Sequence, residues 1–184
     1  MLCEALGDEA LAVREPGGTE VGERLRELLK DPSLAIAPEA EALMFAAARA
    51  ELVAQVIRPA LEEGRVVVSD RFLDSSLAYQ GVARGLGVYD VEQINRFATG
   101  GLLPDLTFLL SIDPERAAER AGQLDRFEDE GDSLQKAVFD AYVELAAAQP
   151  GRWRTVDADR TSADVHADVL ATVQEARAAT GARA

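Results

Sequence analysis

The chain has 184 residues, 48% of them apolar, which is enough to bury the core of a single domain spanning residues 1–184. Acidic residues outnumber basic ones by 33 to 19, and the resulting net charge of -14 argues against a nonspecific nucleic-acid binder, because like charges repel. The single cysteine, Cys3, excludes an internal disulfide, and no apolar run approaches the roughly 20 residues of a membrane span. The composition therefore predicts a cytoplasmic protein that binds neither nucleic acid nor membrane.

The first half of the chain predicts a strand, a sharp loop and two helices. Residues 11–14 form a short apolar run that enters the sequence REPGGT, whose proline and glycines end the strand. A helix is predicted over 19–30, because leucines recur on one face until an Asp-Pro pair ends the pattern. A longer helix is predicted over 39–63, where apolar residues keep helical spacing despite Pro59.

The second half of the chain alternates strands with helices. The valines of 66–68 form a continuous apolar run, which is typical of a strand buried on both faces of a parallel sheet, and 106–112 has the same character. A short strand over 154–156 and a tail helix over 163–184 complete the pattern. Strands alternating with helices predict an α/β protein with a three-layer, doubly wound parallel sheet.

Charged residues follow the predicted strands. In an open parallel sheet, ligands bind beyond the carboxyl ends of the strands, and these loops carry Arg14, Glu15, Asp70, Arg71 and Asp113. Arginines can clamp phosphate, and carboxylates can hold a metal ion. This mixture of side chains favours phosphoryl transfer.

Five segments resemble the bacterial thymidylate kinase family in their order and spacing: REPGGT, EALMFAAAR, DRFLDSSLAYQG, PDLTFLLSID and LDRFE. Each segment alone is a weak signal, but together they cover nearly the whole chain. The resemblance implies a fold like that of the P-loop nucleoside monophosphate kinases. It also implies transfer of the γ-phosphoryl group of ATP to thymidine monophosphate (dTMP), giving the diphosphate (dTDP) for dTTP synthesis, with Mg²⁺ as cofactor and a homodimer as the assembly.

The resemblance assigns five residues to the base and sugar of the nucleotide. Phe45 and Arg49 lie four residues apart on one predicted helix face, so a ring and a guanidinium can meet one planar base. In the family the aromatic ring stacks on thymine and the arginine bonds its exocyclic oxygen. Ser76 and Gln80 resemble residues that line the sugar and the base edge, and Tyr79 resembles one that packs on the deoxyribose. In the alternative interpretation, Phe45 is a core residue and Arg49 a solvated surface charge.

The resemblance also assigns residues to the acceptor phosphate and to magnesium. Arg71 resembles the arginine that holds the 5′-phosphate, since its fork pairs with two oxygens at once, and Asp70 would face magnesium. Glu15 and Arg26 match family positions near the phosphate and the metal, while Pro16 and the glycine after it let the backbone approach closely. The alternatives are an internal ion pair for Arg71 and a solvated charge for Arg26.

Two segments depart from the family pattern. The family begins with a strand and a glycine-rich loop ending in Lys-Ser/Thr that holds the ATP phosphates, and this sequence has neither that first strand nor that motif. Either the sequence starts at an internal methionine of a longer protein, or the protein has lost this P-loop, in which case activity should be very low. The predicted lid, about 115–128, keeps Arg120 and Arg126, which either neutralise charge in the transition state or belong to a solvated loop.

Two other functions stay open at this point. One is a related nucleoside or nucleotide kinase of the same fold, which a different base preference would reveal. The other is a catalytically silent subunit of a dimer that binds dTMP, which the missing loop favours. Family members pair through their long helices, and the apolar residues over 44–57 and 91–97 are the predicted interface.

Overall fold

Parallel strand pairs form the β-structure of the computed structural model, which describes residues 1–112, Arg116 and 131–181. The strands are β1 (Ala10–Val13), β2 (Val66–Ser69), β3 (Thr107–Ser111) and β4 (Trp153–Asp157). β1 pairs with β2 and β3 pairs with β4, both in parallel register. The strands predicted from the sequence are confirmed, with small shifts at their ends.

Helices lie between the strands along the chain, as parallel pairing requires. They are α1 (Leu2–Leu6), α2 (Glu20–Lys30), α3 (Pro38–Leu52), α4 (Arg58–Glu62), α5 (Leu73–Ser76), α6 (Val88–Thr99), α7 (Asp132–Ala148) and α8 (Ser162–Gly181), with a 3₁₀ turn over Gly7–Glu9 and π-helical segments over Val53–Ile57 and Leu77–Ala83. The predicted α/β class and the tail helix are confirmed. In the described part of the chain, no helix combines the length and the apolar character needed to cross a membrane.

The helix predicted over 39–63 is interrupted near its middle. α3 ends at Leu52, and the chain widens into π-helical geometry before α4 begins. The N–H of Arg58 reaches back five residues to the carbonyl of Val53, and Pro59 has no N–H with which to resume the normal pattern. The wider turn keeps Val53 and Ile57 buried beside Leu52 in one core cluster.

The strands are less buried than the sequence predicts. The valines of β2 are half-buried and Leu110 of β3 is 51% exposed, so the prediction of strands buried on both faces is wrong. Among the described residues, β2 and β3 each have one hydrogen-bonded neighbour, and the single sheet expected from the sequence is two pairs. The buried clusters lie instead on helical segments around Leu52, Leu73 and Ala78, and the Leu52 cluster packs on Val13 of β1 and Val67 of β2.

Candidate active site

A cleft of about 140 Å³ opens at the carboxyl ends of β1 and β2, where a parallel sheet is expected to bind its ligand. The residues that line it are Glu15, Pro16, Arg26, Lys30, Phe45, Arg49, Asp70, Arg71, Ser75, Ser76, Tyr79 and Gln80. Every residue that the family resemblance assigns to the site and that the structure describes is in this set, whereas Arg14, which also follows β1, is not. Asp113, and Arg120 and Arg126 of the predicted lid, lie outside the described residues.

The loop after β1 is shaped by a glycine and by helix capping. Gly18 has a φ of 81°, a conformation that favours glycine, and its N–H donates to Glu23 Oε1 at 2.7 Å. Thr19 begins α2, and its Oγ1 accepts a hydrogen bond from the N–H of Gly22 at 3.0 Å. These contacts fix the path of the backbone that forms one wall of the cleft.

Two arginines stabilise the loop after β1, which forms this wall of the cleft. Arg26 donates to the carbonyl of Pro16 at 2.8 Å and is half-buried, so it is more than the solvated charge of the alternative interpretation. Arg14 donates to both carboxylate oxygens of Glu23 at 2.8 Å. The backbone hydrogen bond from Gly18, helped by these two guanidinium charges, holds the pKa of Glu23 below its ordinary value. The carboxylate that organises the loop is therefore charged at neutral pH.

A buried ion pair joins Arg49 to Glu15 beside the cleft. Nε and Nη2 of Arg49 lie 2.8 and 2.5 Å from Glu15 Oε2, and both side chains are almost fully buried. Further Arg49 donors bond Ser76 Oγ, Asn95 Oδ1 and the Phe72 carbonyl. Burial raises the pKa of Glu15, and the charge of Arg49 opposes that rise. Arg49 is buried and hydrogen-bonded, so the alternative of a solvated surface charge is wrong.

Arg71 is an exposed cation of the cleft. Its guanidinium lies over the ring of Tyr79, 5.5 Å from the centroid, and its Nη1 is 3.5 Å from Tyr142 Oη. Tyr142 donates in turn to Ser75 Oγ at 2.8 Å, and burial raises the pKa of Tyr142, so the hydroxyl keeps the proton that it donates. No carboxylate of the described residues forms an ion pair with Arg71, so the predicted alternative finds no partner there.

Asp70, directly after β2, brings a carboxylate that could bind a metal ion into the cleft. Its Oδ1 accepts a hydrogen bond from the Glu15 N–H at 3.0 Å, and the residue is exposed. Glu15 differs, because both of its carboxylate oxygens accept from Arg49. The described residues contain no cluster of three acidic, histidine or cysteine side chains that would hold a metal unaided. Mg²⁺ commonly uses one or two carboxylates together with waters and phosphate oxygens, and Asp70 fits that pattern.

Phe45 and Gln80 add a planar ring and an amide to the cleft. Phe45 lies one turn before Arg49 on α3, and it is half-buried and lines the cleft, so it is not the core residue of the alternative interpretation. Gln80 lies in the π-helical segment Leu77–Ala83 and is 2% exposed. A ring and an amide beside arginines suit a planar heterocycle that carries a phosphate.

Four residues contribute to the cleft without having been predicted. Lys30 and Ser75 line it, and the sequence marks them only as the last residue of a predicted helix and the neighbour of Ser76. Asn95 of α6 and Tyr142 of α7 contact Arg49 and Arg71 from separate helices. No local pattern marks these two, since their contacts arise only when the helices pack.

A parallel α/β fold with arginines and a carboxylate around a cleft at the strand ends defines the class of nucleotide phosphotransferases, in which positioning and charge neutralisation carry the chemistry. The family model described as Thymidylate kinase matches residues 1–169. The chain is 49% identical over 177 residues to the thymidylate kinase of Pelotomaculum thermopropionicum, covering 94% of this chain and 82% of that protein. It is 45% identical over 175 residues to the thymidylate kinase of Deinococcus radiodurans, covering 93% and 84%.

A solved structure agrees with these sequence comparisons. The crystal structure of thymidylate kinase from Ehrlichia chaffeensis matches with a TM-score of 0.72 at 27% identity, over 90% of this chain and 81% of that chain. The chain belongs to the thymidylate kinase family, whose members are nucleoside monophosphate kinases. The resemblance seen in the sequence is thereby confirmed, as are the fold type and the kinase function that it implies.

Proposed function

We propose that this cleft binds dTMP and that the protein transfers the γ-phosphoryl group of ATP to it in the cytoplasm, giving dTDP. The observation that carries the proposal is that Phe45 and Arg71 line the same cleft, while no described carboxylate pairs with Arg71. Stacking of a base on an aromatic ring is worth about 1–3 kcal/mol, and a guanidinium fork matches the oxygens of a phosphate.

In this proposal five residues hold the nucleoside. Phe45 stacks on thymine, and Arg49 donates to the exocyclic oxygen of the base by exchanging one of its present side-chain partners. Gln80 reads the base edge. Ser76 lies beside the sugar, and the ring of Tyr79 packs on the deoxyribose, where a 2′-hydroxyl would be crowded.

The phosphate end of the proposal uses the strand ends. Arg71 clamps the 5′-phosphate, and Arg26 supports the backbone at Pro16. Asp70 would hold magnesium beside Glu15, whose backbone N–H donates to the Asp70 carboxylate. Magnesium, when bound, supplies positive charge that neutralises the phosphate oxygens. We place Arg120 and Arg126 of the lid as further cations for the transferring group. No protein nucleophile is required, because the acceptor phosphate oxygen attacks directly.

Calorimetric titration of this chain with dTMP, followed by an assay for dTDP after addition of ATP and Mg²⁺, tests the proposal. We expect saturable binding of dTMP with one site per chain, and formation of dTDP shows the transfer. Binding without any product would support the alternative of a silent dTMP-binding subunit. Tighter binding of another nucleoside monophosphate would favour a related kinase, and a folded sample that binds no dTMP would exclude the proposal.

We also propose a homodimer formed through α3 and α6. Exposed apolar side chains on these helices include Leu43, at 55%, and Phe97, at 92%. Leu52 and Val91, which belong to the interface predicted from sequence, are buried in the core of the chain itself and cannot contact a partner. Sedimentation velocity should give twice the monomer mass, and Phe97→Asp should give the monomer. A monomeric unaltered chain at micromolar concentration would contradict the proposal.

A further inference from the structure

Gln80 is oriented by two residues that lie outside the lining of the cleft. Glu41 of α3 is 1% exposed, and its Oε1 accepts a hydrogen bond from Gln80 Nε2 at 2.9 Å. Arg84, directly after the π-helical segment, donates from Nε to Oε1 at 3.2 Å and from Nη2 to Oε2 at 3.1 Å. One buried carboxylate therefore links the guanidinium of Arg84 to the amide of a residue that lines the cleft.

The carboxylate of Glu41 fixes the orientation of the Gln80 amide. An ionised carboxylate only accepts hydrogen bonds, so the amide must present its NH₂ group to Glu41. The other end, Oε1 of Gln80, accepts no hydrogen bond from any residue that the structure describes and is left for a ligand. Arg84 reinforces this arrangement, because its two donors fix the carboxylate in place.

We propose that Glu41 is a positioning residue: it makes Gln80 a fixed hydrogen-bond acceptor and so selects a base that carries a ring N–H. This inference rests on the proposed function and explains why the cleft would prefer thymine to cytosine. Thymine and uracil carry a hydrogen on N3, whereas cytosine has a lone pair there. A cytosine edge would set a second acceptor against the Gln80 oxygen, and buried polar groups left unpaired cost binding energy.

Glu41→Gln is the variant that tests this role. The introduced amide has nearly the size of the carboxylate but can also donate, so the amide of Gln80 is free to turn over. Calorimetry with dTMP and with deoxycytidine monophosphate gives the ratio of the two dissociation constants. We expect the unaltered chain to prefer dTMP, and we expect Glu41→Gln to reduce that preference by roughly tenfold. A purely structural defect would weaken both nucleotides alike and leave the ratio unchanged.

Two further variants sharpen the test. Glu39→Gln makes the same change at an exposed position of α3 and should leave the ratio as it is. Combining Glu41→Gln with Gln80→Glu restores an acceptor-only group in the cleft, so the preference for dTMP should return.

The outcomes separate this inference from the proposed function. An unchanged ratio in folded Glu41→Gln, or equal affinity of the unaltered chain for the two nucleotides, would overturn the role of Glu41 and leave dTMP binding standing. If Glu41→Gln does not fold, the double variant decides, and a lost preference there counts against the inference. An unaltered chain that binds no dTMP would exclude both the role of Glu41 and the proposed function.

Discussion

Arg71→Met is expected to raise the dissociation constant for dTMP about 100-fold, because charged hydrogen bonds to phosphate are worth about 1.5–3 kcal/mol and a guanidinium can make two of them. The free energy of unfolding should change little. Arg71 is exposed, and its polar contact with Tyr142 is long, at 3.5 Å. Calorimetric titration gives the affinity, and urea unfolding gives the stability of the same sample.

Two comparisons make the Arg71 result specific. Arg71→Lys keeps the charge but loses the fork, so we expect an affinity between those of the unaltered chain and Arg71→Met. Arg24→Met removes an arginine from the exposed surface of α2, where its side chain is 75% exposed and pairs only weakly with Glu20, and dTMP affinity should not change. Equal losses in Arg24→Met and Arg71→Met would show that overall charge is responsible, and the assignment of Arg71 to the phosphate would fail.

Glu15→Gln is expected to lower the free energy of unfolding by about 3–5 kcal/mol, because it leaves the charge of Arg49 buried without a counter-charge. The two side chains are 2% and 3% exposed, so solvent cannot take over the lost interaction. Chemical denaturation at neutral pH measures the loss. The size of this effect reflects the cost of an unpaired buried cation, and it is larger than the net contribution of the intact pair.

The surface pair of Glu20 and Arg24 supplies the control for Glu15→Gln. Its side chains are 84% and 75% exposed, and Glu20→Gln should cost less than about 1 kcal/mol. Combining Glu15→Gln with Arg49→Met removes the buried charge itself and should recover part of the lost stability. A loss in Glu15→Gln no greater than that in Glu20→Gln would mean that water reaches the pair and that Arg49 is not buried away from solvent.

The residues at the strand ends could be predicted because parallel strands present their carboxyl ends at one edge. Glu15 and Asp70 follow strands that the structure pairs residue by residue, from Ala10 opposite Val66 onward. The spacing of Phe45 and Arg49 on α3 is equally local, and the structure places both in the cleft. The strand ends and the helical spacing follow from the pattern of apolar residues, whereas the choice of Phe45 and Arg49 for the base rests on the resemblance to the family.

The contacts that fix the site could not be predicted, because they join distant parts of the chain. Glu15 lies 34 residues before Arg49, and the two meet only after α3 packs against the loop that follows β1. Glu41 and Gln80 are 39 residues apart, and the second of them lies in a π-helical segment that no spacing rule anticipates. The burial of β2 was overestimated for a similar reason: an apolar run indicates a strand but not how many neighbours cover it.

The hydroxyl of Tyr142 joins α7 to the segment that follows β2, since it contacts both Ser75 and Arg71. A phosphate that draws Arg71 toward itself alters one of the two contacts that anchor the hydroxyl. Thermodynamic linkage makes this effect mutual. If binding at α7 changes the affinity for phosphate by some factor, phosphate changes the affinity of that binding by the same factor. If Arg71 binds the acceptor phosphate as proposed, the Tyr142 hydroxyl would therefore couple that binding to the position of α7.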